Sequence, residues 1–367
     1  MTDLASIVDK VGSPAYVYDL AEVRANRLRL RAALPPRSGL FHALGTNAHP
    51  ELLREIRAGG ALPEVCTPSE LDTALTTGWP AADVLYTGRS GRDIDWALQK
   101  GVRRFVADSP AGVKKLDHRA AAHGVSVSFL LRINGGGPTA VGVPSAWVNA
   151  DPARFTGGAN AQLSGLYAQA SELSDVDGWV LAVGELAWTI ATYGGCVDVL
   201  HFGGSTPVPG LRERLTAAID REVPAGAAPP RLEFEAGRYL VGSAGTLITA
   251  VMDTKPFRDK EIVVLEFGVD APDSFAAATP LTPRGDLVDS VLVGPFAESW
   301  AHEVRLSSLR PGDLLVVPGV GAHGPTTVPP THPLPVEVVI DRDDPDSSAV
   351  HVSRLLLTRY PDNQPDR

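Results

Sequence analysis

The sequence predicts an α/β fold, a (β/α)8 TIM-like barrel followed by a C-terminal antiparallel β domain, and three observations carry that reading. Short apolar runs of strand length alternate with helix-spaced segments over about 200 residues, the pattern of a parallel barrel. The runs end in glycine or polar residues: Gly45, Thr67, Gly88, Asp108, Asn134, Gln169, Gly203 and Glu235. From Tyr239 onward, β-branched runs separated by turns replace the helical spacing.

Taken in order, Gly12, Ser13 and Pro14 lead into a strand over 15–18, and 20–34 has helical spacing with arginines on its polar face. Barrel strands are predicted at 40–44, 64–67, 84–87, 104–107, 127–133, 163–169, 197–202 and 232–235. The first of them stops at Gly45 and Asn47 and is followed by a helix over 50–58. Strands of the second domain are predicted at 246–252, 262–266, 287–293, 313–317, 336–340 and 350–356. The expected division is a barrel over 28–238 and a β domain from 1–27 and 239–367, with a loop over 341–346 and a frayed terminus over 360–367.

The 367 residues suffice for two domains, and 44% hydrophobic content supplies their cores. A net charge of −10 and a pI near 5.4 argue against a nucleic-acid or anionic-membrane surface, which needs a basic footprint. Cys66 and Cys196 are far apart and flanked by apolar residues, so they read as buried free thiols rather than a disulfide or metal pair. The N-terminus has no secretory pattern, and no uncharged apolar run reaches the length of a membrane span. A cytoplasmic protein is expected.

Several stretches carry chemistry. Residues 232–240 read Leu-Glu-Phe-Glu-Ala-Gly-Arg-Tyr-Leu, in which a glycine amide beside an arginine can hold an anion and a carboxylate can face a protonated ring nitrogen. His201-Phe-Gly-Gly-Ser205 follows the seventh barrel strand, where glycines let backbone N–H groups approach an oxyanion. With these, and with Ala-Tyr-Val-Tyr at 15–18, Leu-Phe-His-Ala-Leu-Gly-Thr-Asn-Ala-His-Pro at 40–50 and Gly-Pro-Phe-Ala-Glu-Ser-Trp-Ala at 294–301, the chain resembles the fold-type III pyridoxal-phosphate decarboxylases. That family includes the diaminopimelate and ornithine decarboxylases and has the alanine racemase-like fold.

The resemblance implies that Gly203, Gly204 and Ser205 with Gly237 and Arg238 form a phosphate cradle, and that Glu235 pairs with the cofactor's pyridinium nitrogen. It also implies a homodimer in which the segment from Gly294 to Trp300 is lent across the interface. The departures are as informative. The family's Schiff-base lysine falls on Gly45, its stacking histidine on the segment Tyr167-Ala-Gln-Ala-Ser171, its cysteine on Ala297 and its later tyrosine on His323, while its second-strand aspartate appears as Glu64. Glycine can form no imine. The six lysines are Lys10, Lys100, Lys114, Lys115, Lys255 and Lys260, and none stands at a predicted C-terminal strand end.

The candidates for proton transfer are therefore His201, His323, Glu64 and Glu298, since histidine titrates near neutrality and a carboxylate can orient it. No helical His-x-x-x-His or close Cys/His cluster provides metal-ligand spacing. His42 has the parity opposite to Gly45 and is expected to face the helices, and His49 reads as structural. The leading expectation is a divergent decarboxylase-like enzyme of small-molecule metabolism that acts on an amino acid or related anionic substrate without an internal aldimine. Pyridoxal or pyridoxamine phosphate held non-covalently, or no cofactor, both accord with that. The alternatives are an inactive scaffold or regulatory protein and a conventional decarboxylase.

Overall fold

A computed structural model of the chain describes residues 4–134, 142–169, 176–192, 197–204, 210–222, 229–269, 271–295, 301–322, 335–344 and 351–353. The chain divides into two compact units, Glu22–Gly242 and a second made of Met1–Ala21 with Ser243–Arg367. The expected barrel is present. After β1 (Ala15–Asp19), eight parallel strands close on themselves: β2 (Gly39–Ala43), β3 (Leu62–Val65), β4 (Leu85–Tyr86), β5 (Arg104–Ala107), β6 (Val127–Ile133), β7 (Ala161–Gln169), β8 (Val199–Gly203) and β9 (Arg231–Glu235).

Local chemistry places the turns at the mouth of the barrel. Three of the helices that follow barrel strands start on an N-cap residue with proline next, where the missing N–H costs nothing. His49 caps the helix Pro50–Ala58, its Nδ1 accepting from Glu51 N at 3.3 Å, so its role is structural as expected. Thr67 caps Pro68–Thr77: its Oγ1 accepts from Glu70 N at 3.1 Å, and the Glu70 carboxylate accepts from Cys66 N at 2.8 Å. Ser109 caps Pro110–Ala122.

Strand alternation fills the barrel interior. Phe41, Leu85, Leu130, Tyr167 and Val199 form one buried cluster, with Leu62 and Val106 packed against it. Each such side chain contributes about 1.5–3 kcal/mol of burial. The register sets Tyr167 beside His201, and His201 beside Glu233. Closure pairs Phe41 with Glu235, and Ala43 lies opposite Glu64.

The second unit is the expected β domain, in which antiparallel pairings predominate. It is mixed: β1 runs parallel to β16 (Val336–Ile340), and β11 (Lys260–Leu265) parallel to β13 (Leu287–Val293), whereas β10 (Gly245–Phe257) is antiparallel to β1, to β11 and to β15 (Leu314–Pro318). Short β12 (Thr279–Pro280) pairs with β15, and β17 (His351–Ser353) with β16. Parallel pairing requires a crossover, which the runs of β-branched residues do not encode. The strand β14 (Ala301–Ser307) and the helix Leu4–Val11, whose Ile7 packs on Val17, Ile248 and Val338, are additions to the sequence reading. Among the described residues no helix is long and apolar enough to cross a membrane.

Candidate functional site in the barrel mouth

The C-terminal strand ends bring Gly45, Glu64, His201, Gly203, Gly204, Glu235 and Gly237 into one barrel end, while Ser205, Glu298, His323 and Cys196 lie outside the described residues. At its base is a row of alternating charges. His201 is fully buried; its Nδ1–H donates to Glu233 Oε2 at 3.2 Å, and its Nε2 stands 3.2 Å from Glu64 Oε2, an ion-pair separation without hydrogen-bond alignment. Arg104 Nη2 reaches both Glu233 oxygens, at 3.0 and 2.9 Å. Tyr167 lies flat on His201, donates its hydroxyl to Glu64 Oε1 at 3.1 Å, and carries the Arg132 guanidinium 5.0 Å from its ring centre. Phe41 meets the imidazole edge-on, ring centres 4.9 Å apart.

These neighbours decide protonation. Burial by itself would discharge His201, but the contacts with Glu233 and Glu64 outweigh it and raise the imidazole to about 9. Burial likewise acts against the Glu233 carboxylate, yet His201 and Arg104 hold it down at about 2. His42 shows the contrast: buried outside the barrel with only the Asn47 carbonyl, 3.1 Å from Nε2, it falls to about 4 and stays neutral.

Exposure then separates the candidates. His201 is 0% exposed, whereas Glu64 retains 8% at the mouth. Glu233 and Arg104 were absent from the sequence candidates, although parity contained the signal: residues 233 and 235 share a strand face, so an inward Glu235 implies an inward Glu233. Cys66 corrects another expectation. Its thiol is exposed rather than buried, and partial burial with Glu70 and Glu64 nearby pushes it up to about 11. The strand ends at Val65, so Cys66 falls just beyond it, outside the strand's buried run.

Two glycines of the expected phosphate cradle are described with their hydrogen bonds. Gly204 N donates to Glu235 Oε2 at 2.9 Å and Gly237 N to Glu235 Oε1 at 2.6 Å, so these two amides already hold a carboxylate of the chain. Arg238 is exposed. At the lysine position, Gly45 sits in the turn after β2, and a Cβ there would meet only Glu70, 3.4 Å from its Oε1. All six lysines lie elsewhere: Lys10, Lys114 and Lys115 on helices, Lys100 at a helix end, and Lys255 and Lys260 on β10 and β11. None of the six therefore stands at a described C-terminal barrel-strand end, where a lysine could anchor pyridoxal phosphate.

Comparison with known proteins places this geometry. Residues 20–143 match the family model described as the pyridoxal binding domain of pyridoxal-dependent decarboxylases. The chain is 27% identical over 396 residues to a diaminopimelate decarboxylase of Methanothermobacter thermautotrophicus, covering 92% of this chain and 89% of the relative. It is 28% identical over 369 residues to one of Actinosynnema pretiosum, covering 88% and 81%. The structure of Helicobacter pylori diaminopimelate decarboxylase complexed with L-lysine superposes with a TM-score of 0.81 at 19% identity, over 93% of this chain and 94% of that one. The chain is thus similar in sequence to pyridoxal-dependent decarboxylases and shares their barrel and β-domain fold.

Proposed function

We propose that the barrel mouth is the active site of a divergent decarboxylase-like enzyme, which acts on an amino acid or related anionic substrate without an internal lysine aldimine. The observation that carries this is Gly45 at the end of the first barrel strand, with every lysine placed off the barrel strands, while a polar row of Glu64, His201 and Glu233 is built beneath the same opening. The relatives named as diaminopimelate decarboxylases support an amino-acid substrate. No step here runs through pyridoxal phosphate, because no lysine stands at a described C-terminal barrel-strand end to anchor it.

Glu64 is the group that exchanges a proton with the substrate. Tyr167 donates to one of its oxygens and the His201 imidazolium faces the other, so the carboxylate is held in place and its charge is balanced. His201 is a positioning residue that acts through Glu64. Glu298 and His323 are further proposed members of the site. A homodimer completes it through the segment from Gly294 to Trp300, whose outline resembles the one lent between subunits in the family.

The test incubates the protein in D2O with diaminopimelate, lysine or ornithine and follows α-proton exchange by NMR and carbon dioxide release, with and without pyridoxal phosphate. Exchange or turnover that is lost in Glu64→Gln, with no borohydride-trapped adduct on any lysine, is the expected result. The relatives' reaction favours a second reading, a conventional decarboxylase, and a trapped lysine adduct would establish it. Absence of any chemistry with any of these amino acids would leave a scaffold.

A further inference from the structure

Two backbone N–H groups from different loops converge on one side chain at the barrel mouth. Gly204 has φ of +75°, a conformation that favours glycine, and its N–H donates to Glu235 Oε2. Gly237 lies so close to Thr46 that a Cβ would stand 2.6 Å from its Oγ1, and its N–H donates to Glu235 Oε1. The carboxylate presents its two oxygens to these donors much as two oxygens of a phosphate would, and it is 7% exposed.

We propose that Glu235 is a built-in anion that closes this pair of amides to phosphate, so that the barrel mouth selects unphosphorylated ligands. The inference rests on the mouth being the ligand site. Each amide has one hydrogen, and both are spent on Glu235, so a phosphate must first displace a carboxylate that sits two residues from Gly237 on the same chain. It would also enter beside a second carboxylate: burial first, and then the nearness of Glu64, already raise the Glu235 carboxyl above its ordinary value. Removal of the Glu235 charge leaves the two amides free for an external anion.

The experiment titrates inorganic phosphate and pyridoxal phosphate into wild type, Glu235→Ala and Glu235→Gln, with binding followed by 31P NMR and calorimetry and folding checked by circular dichroism. The wild type is expected to show no saturable phosphate binding into the millimolar range. Glu235→Ala should gain saturable binding of both ligands, at least about tenfold tighter than wild type, and Glu235→Gln a smaller gain because one amide keeps an acceptor. Saturable micromolar binding to the wild type overturns the proposal without any variant. So does a folded Glu235→Ala that gains nothing, and if that variant does not fold, the isosteric Glu235→Gln decides in its place. Phosphate binding to a wild type that forms no lysine adduct would remove this inference and leave the lysine-free reading intact, while a trapped lysine adduct would do the reverse.

Discussion

Tyr167 and His201 lie face to face, ring centres 4.7 Å apart and planes 11° from parallel, and both address the same carboxylate: the Tyr167 hydroxyl donates to Glu64 Oε1, and His201 Nε2 stands opposite Oε2. The relationship follows from register, since Tyr167 and His201 are direct partners on adjacent parallel strands and both point inward. It makes one residue's protonation the concern of three others.

The first consequence is a pH dependence of stability. The His201 imidazole is raised from an unfolded value of 6.5 to about 9. Its contribution is therefore fully present below about pH 6.5 and is lost as pH rises through about 9, with a size on the order of 3 kcal/mol. Glu233 works at the other limb: depressed from 4.5 to about 2, it contributes above 4.5 and loses that as pH falls through about 2. Urea denaturation of the wild type from pH 6 to 10 should show the decline, and Glu233→Gln should flatten it. A wild-type profile that stays level through pH 9 contradicts this account.

The β-rich unit holds a buried carboxylate with the opposite economy. Burial raises Glu337 to about 7, and the Tyr18 hydroxyl, donating at 3.0 Å, only partly offsets it. The cost of ionising it in the folded state therefore builds as pH rises from about 4.5 and is complete above about 7, on the order of 3 kcal/mol. Glu337→Gln keeps an acceptor for Tyr18, so its melting temperature should exceed wild type at pH 8 and match it at pH 4. Equal melting temperatures at pH 8 would show that the carboxylate is not penalised there.

Gly203→Ala tests the close packing of the mouth. A Cβ at this position collides with the Tyr167 hydroxyl. We expect destabilisation of about 1–3 kcal/mol and a changed near-ultraviolet dichroism as Tyr167 is pushed off Glu64. An unaltered tyrosine spectrum would mean that the ring is not held where the structure places it.

Gly45→Lys should be tolerated. The position has room for a Cβ and no left-handed backbone, so a stability change within about 1 kcal/mol is expected. With an amine now beside Glu70, the variant should yield a borohydride-trapped adduct with unphosphorylated pyridoxal that mass spectrometry locates at position 45. Trapping at another lysine, in wild type and variant alike, would refute the assignment of position 45.

For the proposed homodimer, light scattering at micromolar concentration should give twice the chain's 38.7 kDa. A monomer under those conditions would leave the mouth to be completed by one chain alone.

The barrel was legible because its signals are local. Apolar runs of strand length and capped helix starts such as Thr67-Pro68 and Ser109-Pro110 are properties of neighbouring residues, and strands 104–107 and 127–133 coincide with β5 and β6. Glycine at position 45 and the placement of every lysine were equally plain, since absence of an amine needs no coordinates. The direction of strand pairing in the second unit was not, because β1 finds its parallel partner β16 more than 300 residues away. Nor was the state of the site. Whether His201 is a surface base or a buried cation depends on Glu64 and Glu233, brought to either side of it by the register of β3, β8 and β9. Whether the glycine amides are open depends on where Glu235 puts its two oxygens. Residue types and strand parity are written along the chain, but charge, exposure and hydrogen-bond satisfaction are set by what barrel closure brings within about 3 Å, and only the tertiary structure decides that.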